Sequence, residues 1–387
     1  MKQFSFLMSS KIILGLISGY FIVALPLYLR EIGIRIGDIG RLFGVSMLVY
    51  AFLIFYIGVE SEFNGRVKPG LWAIGGIALS SLLIGLLPWL PVIFGFILFV
   101  NARIVFSLSE SITRNLTKIR VLDLSKGKKL GRMFGLYSVF VGVGSGIGIL
   151  AGALLLTKTD MQMIFFIIPF VALIAGLFYK AAGDEKRGSK RSKIFSFSNL
   201  TNTSRLFKIV LIFNTMILFG GFVVDFFGLP LYQREVLEMD TQLIFIVLGV
   251  AWTISGIVSY WGGKLYDRFR YKLLIMTLFL VALASVFLAH TKNIWVFSAI
   301  LLFDFFLFGL QDPARFALAG KFSMENKGLL MSFFELFAVI TGGIVMLFFG
   351  ALMEFFNFGF IFYLRAIVQI FGIFLILYLN KVEKASV

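Results

Sequence analysis

Residues 25–31 read LPLYLRE, and residues 229–235 read LPLYQRE. Six of the seven positions carry the same residue, although 204 positions separate the two copies. A 387-residue chain that repeats a segment at about half its length is best explained by two related halves. The repeat therefore predicts that the halves share one fold and that the two segments occupy equivalent places in it.

The composition indicates that both halves lie in a lipid bilayer. Hydrophobic residues make up 59% of the chain and charged residues 14%, whereas soluble globular proteins have roughly 45–50% and about 25%. The chain has no cysteine, which excludes disulfides and thiolate metal sites, and the single histidine, His290, leaves little for a metal or a histidine relay. We expect no cofactor and no enzymatic activity.

Twelve apolar stretches are long enough to cross a bilayer, since one helical crossing takes about 20 residues. The first lacks a small-residue cleavage site and is expected to remain as a helix. A polar, basic segment separates the stretches into six and six, which predicts an N-terminal bundle (1–182), a linker (183–206) and a C-terminal bundle (207–387). The predicted spans are 10–30, 38–59, 70–89, 91–113, 131–156, 161–181, 207–232, 241–262, 271–290, 293–313, 328–352 and 358–380.

The distribution of lysine and arginine predicts the orientation. Segments on the side of the N-terminus hold 28 of the 36 basic residues, and the opposite loops hold six. Because basic loops stay on the cytoplasmic side, both termini and the linker are expected to be cytoplasmic, in a plasma or inner membrane. The net charge of +16 then reflects topology and attraction to anionic lipid rather than nucleic-acid binding.

A glycine-containing loop also recurs in the two halves. Gly58 opens GVESEFNGRVK and Gly263 opens GKLYDRFRYK, each after the second span of its half. In both loops an acid stands four residues after the glycine and basic residues follow. Parallel internal repeats of this kind occur in secondary transporters.

The sequence resembles the major facilitator superfamily over nearly its whole length. The family's loop signature is Gly, three residues, Asp, a basic residue, one residue, Gly and then basic residues. Gly263, Asp267, Arg268 and Lys272 match it in the second half, and Arg270 stands at its second glycine. The resemblance implies that this loop latches the two bundles together when the protein faces outward.

The first half matches the same signature less closely. Gly58, Gly65, Arg66 and Lys68 fit, and Glu62 stands at the acid. An acid near a helix N-terminus is stabilised by about 0.3–1 kcal/mol, which suits a reversible latch. Positive-inside topology alone is the alternative explanation of the basic residues.

Two further features of the family are matched. Arg103 lies in the fourth span, where the family has an arginine. Gly144, Gly148 and Gly152 follow the glycine pattern of the family's antiporters in the fifth span, with Ile149 at its proline. Small residues at this spacing also let helices pack closely, so the stripe predicts tight packing or bending during transport.

Ionisable groups within the spans are candidates for substrate binding or proton coupling, because a charge in lipid is costly. The family fold implies that spans 1, 4, 7 and 10 line a central cavity, and with them Arg103, Asp225 and Asp304. Glu110 lies on the face of Arg103 nearer the inner side, and Glu335 lies in span eleven. We expect Arg103 and Asp304 to share the cavity, either as a structural ion pair or with at least one of them coupling substrate to protons.

The repeated segments are expected at the outer ends of spans one and seven. Pro26 and Pro230 lack an N–H and disturb the helix there. Tyr28 and Tyr232 suit the membrane interface. The segments are therefore helix ends with aromatic anchors, or they also form an outer gate in which symmetry-related ends meet.

The leading functional hypothesis is a monomeric secondary active transporter that works by alternating access, with a small molecule, protons and the bilayer as partners. The nucleotide-binding pattern GxxxxGK[ST] is absent, so an ion gradient is the expected driver. Proton-coupled efflux of a small organic or amphiphilic compound is the first expectation, by analogy with the family's drug exporters. Proton-coupled uptake of a sugar or organic anion, with Arg103 as the anion's partner, and lipid translocation are the alternatives. A membrane-embedded enzyme and a sensor without flux are alternatives from other classes.

The orientation predicts opposite accessibility for two single cysteines. Cysteine at Ser189, in the linker, should resist a membrane-impermeant thiol reagent in intact cells, whereas cysteine at Thr159, in an outer loop, should react. The cysteine-free chain needs no background substitutions for this measurement. Labelling of both positions from the same side would contradict the predicted topology.

Overall fold

The computed structural model describes residues 2–125, 129–183, 204–224, 228–322, 327–355 and 358–385. Within these residues the chain forms thirteen α-helices and one short 3-10 turn. Eleven of the described helices are long and apolar enough to cross a membrane. This is the all-helical, multi-span fold that the apolar stretches predicted.

The helices divide into two sets, α1–α6 in the first half and α7–α13 in the second. The seventh predicted span is shared between α7 and the short α8, whose first turn holds Pro230, a position that tolerates proline. Most of the predicted linker lies outside the described residues, so its boundaries stay predictions. The helices are α1 (Lys2–Glu31), α2 (Ile36–Asn64), α3 (Val67–Gly85), α4 (Val92–Ser125), α5 (Leu130–Leu155), α6 (Met161–Ala181), α7 (Arg205–Val223), α8 (Leu229–Glu235), α9 (Thr241–Phe269), α10 (Tyr271–His290), α11 (Ile294–Phe322), α12 (Lys327–Phe355) and α13 (Phe360–Ala385).

Several helices continue past their predicted spans on the predicted inner side. The fourth span was expected to end at residue 113, but α4 runs to Ser125, and α11 runs to Phe322 rather than 313. The reason is that apolar content marks the lipid core, whereas a helix can continue wherever its polar side chains reach water or partners. The extension of α4 is important because it carries charged residues that join the two bundles.

Two helix pairs hold the bundles together, α5 against α9 and α2 against α12. A pseudo-two-fold axis between the halves exchanges the pairs, since α2 corresponds to α9 and α5 to α12. In both pairs glycine faces glycine: a Cβ built on Gly142 would lie 2.5 Å from Cα of Gly256, and one on Gly40 would lie 2.5 Å from Cα of Gly350. We call these two contacts the glycine seams; they allow backbone-to-backbone approach.

The predicted glycine stripe of α5 packs against α1 of its own bundle and, at Gly152, also against Phe245 of α9 in the other bundle. A Cβ on Gly144 or Gly148 would lie closer than 3.0 Å to the backbone of α1, and one on Gly152 would meet the rings of Phe245 and Tyr20. The stripe is thus a packing surface in this structure. Bending of α5 during transport stays a prediction.

The outer circumference of the molecule is strongly apolar. Trp72 and Trp295 are 75% and 74% exposed, and Phe170 and Leu177 are each 69% exposed. Large apolar side chains at this density on the surface mark contact with an apolar surrounding. The exterior therefore fits the bilayer that the composition predicted.

The glycine seams can be tested by adding a single methyl group to one of the facing glycines. Gly256→Ala should lower the melting temperature of the purified protein, because the added Cβ overpacks the backbone of α5 at a cost of about 1–3 kcal/mol. Gly75→Ala is the matched control, since Gly75 lies mid-helix in α3 with nothing within 4 Å of its Cβ position. The control should be neutral or stabilising by up to about 1 kcal/mol. Equal responses of the two variants would contradict the role of the seams.

Candidate transport site

The two copies of the repeat meet at the predicted outer face. Arg30 Nε of the first copy donates to Glu235 Oε1 of the second at 2.7 Å. Tyr28 and Tyr232 are buried among aromatic side chains rather than exposed at the interface, which corrects their interpretation as anchors. They turn inward because their helix ends, which also carry Pro26 and Pro230, pack inside the protein. A gating role for this contact stays a prediction.

The repeat differs at one position, and the difference is buried. Leu29 of the first copy and Gln233 of the second are both 0% exposed. Neither polar atom of the Gln233 side chain has a hydrogen-bond partner among the described residues. A buried amide without partners is costly, so Gln233 weakens this outer contact relative to the leucine of the other copy.

The loop signature of the second half reaches across to the other bundle. Asp267, near the end of α9, accepts hydrogen bonds from the backbone N–H groups of Gly131 and Arg132, each at 3.0 Å. These donors lie in the first turn of α5, where the helix dipole favours a negative charge. Asp267 therefore joins the C-terminal bundle to the N-terminal bundle at the predicted inner face, and its role as a latch stays a prediction.

Two other signature residues have different surroundings. Arg268 is exposed, and its guanidinium lies 5.1 Å from the ring of its neighbour Phe269. Arg270 has φ 46° and ψ −118°, a conformation that favours glycine. The backbone thus gives a physical reason why the family has glycine where this chain has arginine.

The first-half loop makes its contacts within one bundle. Gly65 ends α2 with φ 82°, and the buried Arg66 forms an ion pair with Asp123 of α4. Gly58 and Glu62 lie in α2, but the surroundings of both residues are outside the described part of the structure. Sequence reasoning missed Asp123 because it lies in the part of α4 beyond the predicted span.

An ionic cluster of four residues joins α4 to α12 near the predicted inner face. The carboxylate of Glu335 accepts from Arg114 Nη2 at 2.5 Å and from Lys118 Nζ at 3.1 Å, and Arg114 also contacts Glu110 at 3.2 Å. The side chain of Glu335 is only 4% exposed. The sequence singled out Glu110 and Glu335, but it assigned the two cations to a loop. We call this group the inner ionic cluster.

A central cavity of about 170 Å³ lies between the bundles, with the inner ionic cluster in its wall. Residues from both halves line it. Trp252, Phe308 and Phe334 supply apolar surface, and Asn214 and Gln311 supply amide groups. A mixed wall of this kind suits a small organic molecule that has both apolar and polar parts.

Asp304 does not pair with Arg103. Its carboxylate accepts from Arg365 Nη1 at 2.8 Å, and the two side chains are 1% and 2% exposed. The expected Arg103–Asp304 pair is thus replaced by a pair between α11 and α13 of one bundle. Depth along a helix is readable from sequence, but the neighbour that a side chain faces is not. Asp225 lies outside the described residues.

Arg103 lines a side pocket of about 70 Å³ instead. Its guanidinium carbon lies 4.2 Å from the ring centre of Phe43 and 5.8 Å from that of Phe106, in cation–π geometry. It forms no ion pair within 4 Å with any described residue. Glu110 and Arg114 line both the side pocket and the central cavity, so the two spaces adjoin.

A multi-span helical protein with two pseudo-symmetric bundles around a cavity has the architecture of an alternating-access transporter. Residues 7–323 match the model of the Major Facilitator Superfamily, and the chain belongs to this superfamily. The membership that the sequence motifs indicated is thereby confirmed. No curated protein matches the chain.

Solved transporters share the fold at low sequence identity. The human organic anion transporter MFSD10 (TETRAN) aligns with a TM-score of 0.74 and 14% identity, over 97% of this chain and 99% of that one. The E. coli fucose:proton symporter FucP aligns with a TM-score of 0.72 and 16% identity, over 98% and 99%. The proton:xylose symporter XylE gives 0.71 and 14%, over 96% and 94%. At these identities the likeness establishes the fold alone.

The Asp267 contact can be tested by removing its charge. Asp267→Asn should separate the inner ends of α5 and α9, because the amide loses the interaction with the helix dipole. Spin labels at the exposed positions 129 and 264 would report this as a longer mean distance, at an unchanged amount of folded protein. Asp160→Asn is the control, since Asp160 precedes α6 without a side-chain capping bond. An unchanged distance distribution in the Asp267 variant would leave the residue without a latch role.

Proposed function

We propose that the protein is a proton-coupled secondary transporter that exports a small amphiphilic organic solute by alternating access. One observation carries this proposal: the central cavity lies between two sets of cross-bundle contacts. Arg30 with Glu235 joins the bundles at the outer end, and Glu335 with Arg114 and Lys118 joins them at the inner end. Breaking either set would expose the cavity to one side while the other set holds.

Glu335 is the best candidate for the proton site. It belongs to the C-terminal bundle, whereas both of its cationic partners belong to the N-terminal bundle. A proton on Glu335 cancels its charge and releases Arg114 and Lys118, which weakens the inner contact. The resulting shift between inward- and outward-facing states is limited by the difference in proton affinity between those states.

Asp304 is less suited to this role than its position in the sequence suggested. Both members of the Asp304–Arg365 pair lie in the same bundle. Protonation of Asp304 therefore breaks no contact between the two moving parts. A structural role within the C-terminal bundle fits this geometry better.

The direction of transport is supported by resemblance. The first span ends in an apolar-Pro-Leu-Tyr run similar to that of drug exporters, which favours export. Import, the direction in the alternative hypothesis, is favoured by the likeness in fold to a fucose:proton symporter and a proton:xylose symporter. Both directions use the same cavity and the same coupling group.

Proteoliposome transport separates these roles. An imposed pH gradient should drive accumulation of at least one solute among benzoate, ethidium and fucose, and a protonophore should abolish it. Glu335→Gln should keep exchange of that solute but lose gradient-driven accumulation. Asp304→Asn is the matched comparison and should accumulate normally once protein amount is corrected for.

Two outcomes would contradict the proposal. Accumulation that is independent of the pH gradient for every solute would remove proton coupling. Normal accumulation by Glu335→Gln, together with loss in a folded Asp304→Asn variant, would move the proton site to Asp304.

A further inference from the structure

The charges around the central cavity do not balance. Five cationic side chains line it among the described residues, and four of them have an acidic partner. The fifth, Lys11, forms no ion pair with any described residue. The paired cations are Arg114 and Lys118 with Glu110 and Glu335, Arg315 with Asp312 at 2.6 Å, and Arg365 with Asp304 at 2.8 Å.

Lys11 faces the cavity from α1. The residue is 6% exposed, and its ammonium group makes no ion pair or hydrogen bond with any described residue. Leu14, Gly15, Ser18 and Ile22 line the cavity as well. These four residues follow Lys11 by three, four, seven and eleven positions, a spacing that places all five on one face of the helix. Lys11 is therefore part of the cavity wall.

The acids nearest Lys11 are already engaged. Glu110 and Glu335 belong to the inner ionic cluster, where Arg114 and Lys118 neutralise them. The inner end of the cavity therefore carries one positive charge in excess. An unpaired charge in a membrane-embedded site is costly and marks a functional position.

We infer that the transported solute is an organic anion, with a carboxylate or similar singly charged head that pairs with Lys11 and an apolar body that lies against the aromatic wall of the cavity. This inference rests on the proposed transport function, whose substrate class it names. Trp252, Phe308 and Phe334 supply the apolar surface for the body. The unpaired Arg103 in the adjoining side pocket gives the whole site the same electrostatic preference.

Binding to the purified full-length protein tests the charge requirement. The probes are benzoate, 2-naphthoate and octanoate, each compared with the alcohol and the amine of the same carbon skeleton. Carboxylates should raise the melting temperature and give calorimetric binding, while the alcohols and amines should bind at least about tenfold more weakly, as expected when a buried charge pair is lost.

Three variants assign the effect to Lys11. Lys11→Gln should reduce carboxylate affinity at least tenfold without lowering the melting temperature of the ligand-free protein, because the charge that it removes is unpaired. Lys11→Arg should keep most of the affinity. Lys180→Gln, at the exposed end of α6, should bind carboxylates like the unmodified protein.

The inference is overturned if no carboxylate binds, if alcohols or amines bind as well as carboxylates, or if Lys11→Gln retains full affinity. Transport assays separate this failure from failure of the proposed function. Proton-driven flux of ethidium or fucose, but not of carboxylates, would leave a transporter with a different substrate class. Carboxylate binding that depends on Lys11 without any flux would support the anion site and contradict transport.

Discussion

The close approach of α5 to α9 and of α2 to α12 is the constraint on which the rest of the structure depends. Glycine at facing positions brings the backbones together, and a single Cβ at Gly142 or Gly40 would collide with the partner helix. Lipid offers no hydrophobic driving force for the association of helices. Contact between closely packed backbones therefore supplies much of the attraction between them. With the bundles held along two seams, the space left between them becomes the central cavity.

The same arrangement decides where charges can be placed. Buried charges in a membrane protein need partners, and the inner ionic cluster supplies them across the boundary between the bundles. Asp267 uses a helix terminus for the same purpose, with two backbone N–H groups in place of a cation. Each of these contacts links the bundles through a charge, so loss of that charge weakens the link. Packing along the glycine seams does not depend on charge.

The pseudo-symmetry of the two halves is incomplete in their polar contacts. At equivalent positions of the two LPLY segments the first half has the buried Leu29, whereas the second half has the buried Gln233, whose amide has no hydrogen-bond partner among the described residues. The two loop signatures diverge as well, since Arg66 binds within its own bundle while Asp267 binds across. Packing against the other half is a requirement that both halves share. The LPLY repeat is readable in the sequence, whereas the inner ionic cluster on α4 and the Asp312–Arg315 pair on the equivalent helix α11 differ in their partners.

The sequence by itself determined that the chain lies in a bilayer, how many spans it has, that its two halves are related and which superfamily it belongs to. Apolar run length, basic-residue bias and short motifs reveal these features because they are local properties of the chain. It also selected Glu110, Glu335 and Asp267, since a charge or a motif is visible without coordinates. Only the tertiary structure decided which charges meet. Asp304 pairs with Arg365 rather than Arg103, and Arg114 and Lys118 join the site because α4 continues beyond the lipid core. Lys11 stands out only when its neighbours are known, because a missing partner is a property of three-dimensional surroundings and leaves no mark in the order of residues.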